Sequence, residues 1–396
     1  MLFDGVRILD LSRMLAGPYG SMLLADLGAE VIKIEEPRGG DPMRAMGPPF
    51  LDGESAYFLA INRNKRSVAL DLERSEGGEV FFDLCRVADV VWENFRPGVM
   101  ARLGCEPAKL RELNPRLVVC SISAYGQTGP YRDWPAFDLA LQAMGGAMSI
   151  TGEEGRPPVR MGLPMGDLAG GMFGALAVAG ALYRRTQTGE GSVIDLSLLD
   201  CQASLLTYVA QYFWADGRVP WRVGSGHTSV VPYQAFQAKD GGFLVVAVFA
   251  EKFWGGFCRA IERPELEADP RFDTNVKRVE RKAELIPLLE AIFPQRMTAD
   301  WLARLHKEGV PAAPIQRVDE VLRDPQVLLR EMVVDLEHPK LGAVKTLGTP
   351  IKPTGAPPFR PAPPPALGEH TDAILRGLLG YSAERIGALR AAGIVG

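Results

Sequence analysis

The sequence predicts an α/β protein: a large domain on a parallel sheet with helices packed over it, joined to a smaller α+β domain. Three observations carry this. Short β-branched runs alternate with helical stretches through the first half of the chain. Near Trp221 the texture changes to a glycine-rich loop, hairpin-like alternation and further helices. The length of 396 residues leaves room for two domains with sizeable cores.

Taken in order, 6–11 is a short apolar run that reads as a strand, 18–27 as a helix and 31–34 as a strand. The cycle repeats with a strand at 67–72, a helix at 77–87, a strand at 89–93, a helix near 108–113 and a strand at 117–123. Residues 168–183 are almost wholly apolar, contain four Gly and end in Arg184-Arg185. That is shorter than the ~20 residues of a membrane span, so the stretch reads as a buried core helix. A strand at 192–196 and a long helix at 198–214 close the series. In the second domain, 234–248 forms a hairpin turning at Asp240-Gly241-Gly242, and helices follow at 251–261, 281–293 and 298–309. The proline-rich run 350–365 is extended, and a last helix near 371–379 returns to the large domain. The expected division is 1–215 with 325–396 for the large domain, 225–324 for the small one, and linkers around 216–224.

Composition excludes several classes. Forty-four basic against 48 acidic residues, a net charge of −4, give no basic excess for nucleic acid. Four His and five Cys make a multi-His metal site or a disulfide framework unexpected. Cys85, Cys105, Cys120, Cys201 and Cys258 are scattered without a Cys-x-x-Cys pair, which is reduced, buried usage. The first residues lack a basic segment followed by an apolar run, so a cytoplasmic protein with no membrane attachment is expected.

The first strand–helix turn, Ser12-Arg13-Met14-Leu15-Ala16-Gly17-Pro18, has no G-x-G-x-x-G, and Gly39-Gly40-Asp41 is no Walker A loop. Gly17-Pro18 reads as a helix start. Asp167, in Met165-Gly166-Asp167-Leu168-Ala169-Gly170-Gly171, stands immediately ahead of the apolar helix. Its ordinary role there is an N-cap. The alternative is a reactive carboxylate kept ionised by the helix N-terminus, with glycines clearing room for a reacting group.

Several separated segments resemble the class III CoA-transferases: Ile8-Leu9-Asp10-Leu11-Ser12, Ala16-Gly17-Pro18, Asp26-Leu27-Gly28-Ala29-Glu30, Asn64-Lys65-Arg66-Ser67, Glu93-Asn94-Phe95-Arg96-Pro97-Gly98, Gly166-Asp167 and Leu367-Gly368-Glu369-His370-Thr371. The resemblance covers essentially the whole chain. Within the family, His227 with Val231-Pro232-Tyr233-Gln234-Ala235-Phe236 is most similar to the succinyl-CoA:glutarate branch.

The resemblance implies a Rossmann-like large domain and an open-ring chain interlocked in a homodimer, with active sites between large and small domains of different copies. It implies Asp167 as nucleophile, passing through an aspartyl anhydride and an aspartyl-CoA thioester, with CoA and acyl-CoA as substrates and no permanent cofactor or metal. The implied CoA pocket comprises Leu15, Ala16, Arg38, Leu70, Asp71, Leu72, Glu73, Asn94, Phe95, Arg102, Phe137 and Asp138. Arg102 suits the phosphates of CoA, although an Arg on a solvated helix face needs no ligand. Some members carry Gln where Leu15 stands and Arg where Glu36 stands, which leaves open whether Glu36 or Arg38 faces the nucleotide. Gly224, Ser225, Gly226 and His227 are either an interdomain linker or a loop supplying amides to tetrahedral oxyanions. The implied acceptor is a small dicarboxylate, its distal end met by Arg13, Arg44, Arg222 or His227.

Two alternatives stand beside this reading. The α-methylacyl-CoA racemases of the same family use a His in a Gly-His-Asp triplet; here the triplet is Ala136-Phe137-Asp138, and no His precedes His227. A nucleotide-binding oxidoreductase lacks its glycine fingerprint here.

Overall fold

The structure, a computed structural model, describes residues 1–355 and 359–396. The large sheet is built in chain order from β1 (Arg7–Asp10), α1 (Ala16–Asp26), β2 (Glu30–Glu35), α2 (Ala56–Ile61), β3 (Lys65–Ala69), α3 (Ser75–Arg86), β4 (Val90–Glu93), α4 (Pro107–Leu113), β5 (Val118–Ser123), α5 (Asp138–Met144), α6 (Met165–Thr188) and β6 (Val193–Ser197). Its strand order is β3-β2-β1-β4-β5-β6, and every pairing is parallel. Leu9 lies opposite both Ile32 and Val91.

Period-two alternation sorts the strand side chains onto two faces. Leu9, Ile32, Val91 and Val119 join α3 and α4 in one core, while Ile8, Val31, Val90, Trp92 and Val118 join α1 and α6 in the other. Burial on both faces explains why these strands read as near-continuous apolar runs. The chain runs outward from β1 to β3 and then returns to β4, so the order reverses beside β1. This reversal leaves a crevice at the carboxyl ends of β1 and β4.

The 24-residue α6 is long and apolar enough to cross a membrane by composition alone. In the fold it is a core helix, with a glycine stripe seated on α1 and the sheet. A Cβ at Gly171 would lie 2.7 Å from the Ala16 carbonyl oxygen, and one at Gly174 would lie 2.6 Å from the Trp92 ring. Its opposite side leaves Leu176 and Tyr183 exposed.

Two compact units make up the chain: Met1–Ala147, Met161–Ala210 and Pro325–Gly396 in the first, Met148–Arg160 and Gln211–Asp324 in the second. The expected long helix at 198–214 is instead two, α7 (Leu198–Ser204) and α8 (Thr207–Asp216). Thr207 has φ 42°, a left-handed conformation that a β-branched residue adopts only where a helix breaks. In the second unit, β7 (Tyr233–Gln237), β8 (Phe243–Ala247), α9 (Lys252–Ala260), α10 (Lys282–Ile292), α11 (Thr298–Lys307) and β9 (Ala312–Pro314) surround a core of Phe236, Leu244, Trp254, Phe257, Leu289, Phe293 and Trp301. Its sheet is antiparallel in the order β9-β8-β7.

The chain then supplies an unforeseen hairpin, β10 (Val333–His338) with β11 (Gly342–Leu347), to the first unit. Of the proline-rich run 350–365, residues 356–358 lie outside the described residues, and the rest is neither helix nor strand. Helices α12 (Thr371–Leu379) and α13 (Ala383–Ala391) add Ile374, Leu375 and Ile386 to the core beside α3.

Candidate active site

The crevice begins with the turn after β1, which buried charges hold in shape. Asp10 is fully enclosed and accepts bonds from the Ser12 amide at 2.9 Å, the Ser12 hydroxyl, the Ser21 hydroxyl at 2.6 Å and the Lys65 ammonium at 3.0 Å. Lys65 also donates to the Pro18 carbonyl at 2.9 Å, and Lys33 binds the Ser12 carbonyl at 2.7 Å and Asp41 at 2.9 Å. Burial works to raise the Asp10 carboxyl, but Lys65 and then Lys33 bring it down to about 2. The motif residues Asp10, Ser12 and Lys65 thus serve the turn's geometry. Asn94 closes it, accepting from the Arg13 amide and donating to the Arg13 carbonyl, both at 2.8 Å.

Above this turn opens a cavity of about 760 Å³. Leu15, Ala16, Arg38, Leu70, Asp71, Leu72, Glu73, Asn94, Phe95, Arg102, Phe137 and Asp167 all line it, drawn together from seven separate segments. Glu36 and Arg38 both face it and pair with each other at 2.8 Å. Arg13, Arg96, Arg132 and Trp134 also line the wall. The last three were assigned no role from sequence; Arg96 sits inside the Glu93–Gly98 motif, which was the available signal. A guanidinium-rich rim of this kind suits a polyanionic ligand.

Other candidates lie elsewhere. Asp138 is not on the cavity wall. Arg44 is fully engaged: it forks onto Glu35 at 2.6 and 2.7 Å, donates to the Pro365 carbonyl and lies over the Phe58 ring. That removes it as a distal-carboxylate ligand. Gly224, Ser225, Gly226, His227 and Arg222 belong to the second unit. There the Gly224 amide donates to the Gly152 carbonyl and the Gly226 amide to the Val223 carbonyl. Both glycine amides therefore have backbone acceptors, which accords with the linker alternative for this loop. Arg222 is buried, donates to the Ser149 carbonyl at 3.3 Å and lies over the Trp221 ring, with its Nε unpartnered among the described residues.

Asp167 differs from its predicted setting in three ways. It is the third residue of α6, not the residue ahead of it; Pro164 stands at the N-cap and has no side-chain acceptor. The capping carboxylate comes instead from Asp138 at the start of α5, which accepts from the amides of Gly166 at 2.9 Å and Asp167 at 3.3 Å. The glycines clear space for packing rather than for a reacting group. A Cβ at Gly166 would lie 3.0 Å from the Asp138 carboxylate, and one at Gly170 would collide with Leu198. Finally, the carboxyl is not kept ionised by the helix. Burial first, and the Asp138 charge second, raise it to about 7. Among the described residues nothing hydrogen-bonds its side chain, which leaves both oxygens open to a ligand. All five cysteines are buried, and burial pushes their thiols up, away from thiolate chemistry.

Comparison with known proteins identifies the family. The family model described as CoA-transferase family III matches residues 3–371. The chain is 39% identical over 392 residues to human succinyl-CoA:glutarate CoA-transferase, covering 99% of this chain and 89% of that one. It is 40% identical over 354 residues to acetyl-CoA:oxalate CoA-transferase of Acetobacter aceti, covering 89% of each. A crystal structure of a CAIB/BAIF family protein from Brucella suis superposes with a TM-score of 0.84 at 39% identity, covering 95% of this chain and 98% of that one. An α/β fold with a six-stranded parallel sheet, a family match spanning nearly the whole chain and relatives at this identity lead to one conclusion: the chain belongs to CoA-transferase family III and is a CoA-transferase.

Proposed function

We propose that this enzyme moves CoA from succinyl-CoA, or a close relative, to a small dicarboxylate, with Asp167 as the nucleophile. The observation that carries this reading is an unpartnered carboxylate on the wall of an arginine-rimmed cavity large enough for an acyl-CoA. An Asp167 oxygen attacks the thioester carbonyl, the C–S bond breaks and CoA thiolate leaves, giving a mixed anhydride. The thiolate attacks the Asp167 carbonyl and expels the donor acid, leaving an aspartyl-CoA thioester. The acceptor carboxylate displaces the thiolate to form a second anhydride. Thiolate attack on the acceptor's acyl carbon then releases the new thioester and restores the Asp167 carboxylate. Every attacking group is an anion, so no proton shuttle is required. The racemase alternative needs an imidazole where the Phe137 ring lines the cavity.

In this reading Arg38, Arg96 and Arg102 meet the phosphates of CoA. A dicarboxylate acceptor is supported by the names of the relatives and by the 227–236 segment, with Arg13 on the cavity wall as a candidate ligand for its distal end. The enzyme works as a homodimer of interlinked chains, for which the exposed Leu176 and Tyr183 offer apolar surface. A donor–acceptor matrix with succinyl-CoA as donor tests the substrate class: dicarboxylates of two to six carbons should be preferred. Preference for long-chain or aromatic monocarboxylates contradicts it.

A further inference from the structure

We infer that Asp138, braced by Gln142, is a positioning residue for the nucleophile, holding the peptide of Asp167 by its own N–H, and is not a contact for CoA. The inference rests on Asp167 being the nucleophile and concerns how its carboxylate is aimed.

Helix α6 opens with Pro164 at its cap and no side-chain acceptor there; the Met165 amide reaches back to the Leu163 carbonyl at 2.8 Å, and the amides that follow it in the first turn need acceptors from outside the segment. One oxygen of Asp138 takes two of them, Gly166 at 2.9 Å and Asp167 at 3.3 Å. The other takes the Gln142 side-chain amide at 2.7 Å. Gln142 is fully buried, one turn along α5, and its carbonyl oxygen accepts from the Met161 amide at 2.8 Å, on the segment leading into α6. The brace therefore has contacts both before and within the first turn of α6. Gly166 leaves room for it, because a Cβ there would press on both Asp138 and the Gln202 amide. With its own oxygens unpartnered, Asp167 is aimed by its backbone, and what fixes that backbone fixes the line of attack. A neutral amide at this cap would still accept from the two helix amides but would lose the second acceptor that holds the Gln142 side chain. A carboxylate adds a negative charge beside the nucleophile, which favours the form that attacks poorly at low pH and strengthens the nucleophile once it is ionised. Among the described residues, the titratable groups that interact with the Asp167 charge are Asp138 on α5 and Tyr57 on α2.

Asp138→Asn tests this. It keeps one acceptor for the helix amides, removes the charge and turns a donor toward the Gln142 donor. At the alkaline plateau kcat should fall by about 10- to 100-fold. KM for the acyl-CoA should stay within about twofold, and the acid limb of the pH–rate profile should move down by about one pH unit. An acid limb that stays in place, or a KM raised about tenfold, overturns the inference, the second outcome making Asp138 a CoA contact. Should Asp138→Asn not fold, Gln142→Met gives the same division: kcat falls with KM held, or the inference fails. Asp167→Ala is assayed alongside. If that variant turns over as wild type, the nucleophile reading is wrong. A dead Asp167→Ala with an unmoved Asp138→Asn profile discards only the positioning role.

Discussion

Asp10 and Asp167 are the same residue type in one unit, the first fully enclosed and the second part-buried on a cavity wall, and their environments drive them in opposite directions. Asp10 has two ammonium neighbours and four hydrogen-bond donors, and its carboxyl falls to about 2. Asp167 has no donor on its side chain and a like charge nearby, and its carboxyl rises to about 7. Burial penalises both; partners decide the outcome. A carboxylate whose lone pairs are all occupied shapes a backbone turn. One whose oxygens are left open is free to meet a ligand, at a cost in stability.

The largest effect should come from removing the compensated charge. Asp10→Asn leaves buried Lys65 without its carboxylate while Lys33 keeps Asp41, and should cost about 3–5 kcal/mol in urea denaturation at pH 7. A loss under about 1 kcal/mol would mean the network is not what holds the turn. The opposite sign is expected at the other carboxylate. Because Asp167 binds its proton more tightly folded than unfolded, its penalty is absent below about pH 4, grows as pH rises toward about 7 and is complete above that. Asp167→Asn should therefore stabilise the protein by roughly 2 kcal/mol at pH 8 and by nothing measurable near pH 4. Stabilisation that is equal at both pH values would place its origin outside the carboxyl's charge.

Smaller effects belong to the rim. Arg102→Ala should raise KM for the acyl-CoA about tenfold at low salt with kcat little changed, the pattern of a lost phosphate contact. Arg38 is exposed and already paired with Glu36, so Arg38→Ala should change the same KM by less than about threefold. A reversal of that order would make Arg38 the principal phosphate ligand.

The large sheet was legible because parallel strands buried on both faces leave apolar runs that nothing else in the sequence imitates. Short elements fixed by tertiary packing were not. Helix α5 carries no strong periodicity of its own, and the β10–β11 hairpin turns through Pro339-Lys340-Leu341 ahead of Gly342 at φ 68°, with no Asn-Gly or Asp-Gly pair to mark it. Asp167 could be found from its motif. Its setting could not, because the charge and the cap that define it come from Asp138, 29 residues earlier and on another helix. The same holds for Lys65: the sequence marks it as part of a motif, and only the fold shows its ammonium beneath the Pro18 carbonyl.

The most direct test of the account is chemical trapping at Asp167. Enzyme incubated with succinyl-CoA and then with hydroxylamine should lose activity and carry a hydroxamate on Asp167 in peptide mass spectrometry, and enzyme without acyl-CoA should carry none. Transfer that proceeds with Asp167 unlabelled, or with the label on another residue, contradicts the assignment of the unpartnered carboxylate as the nucleophile.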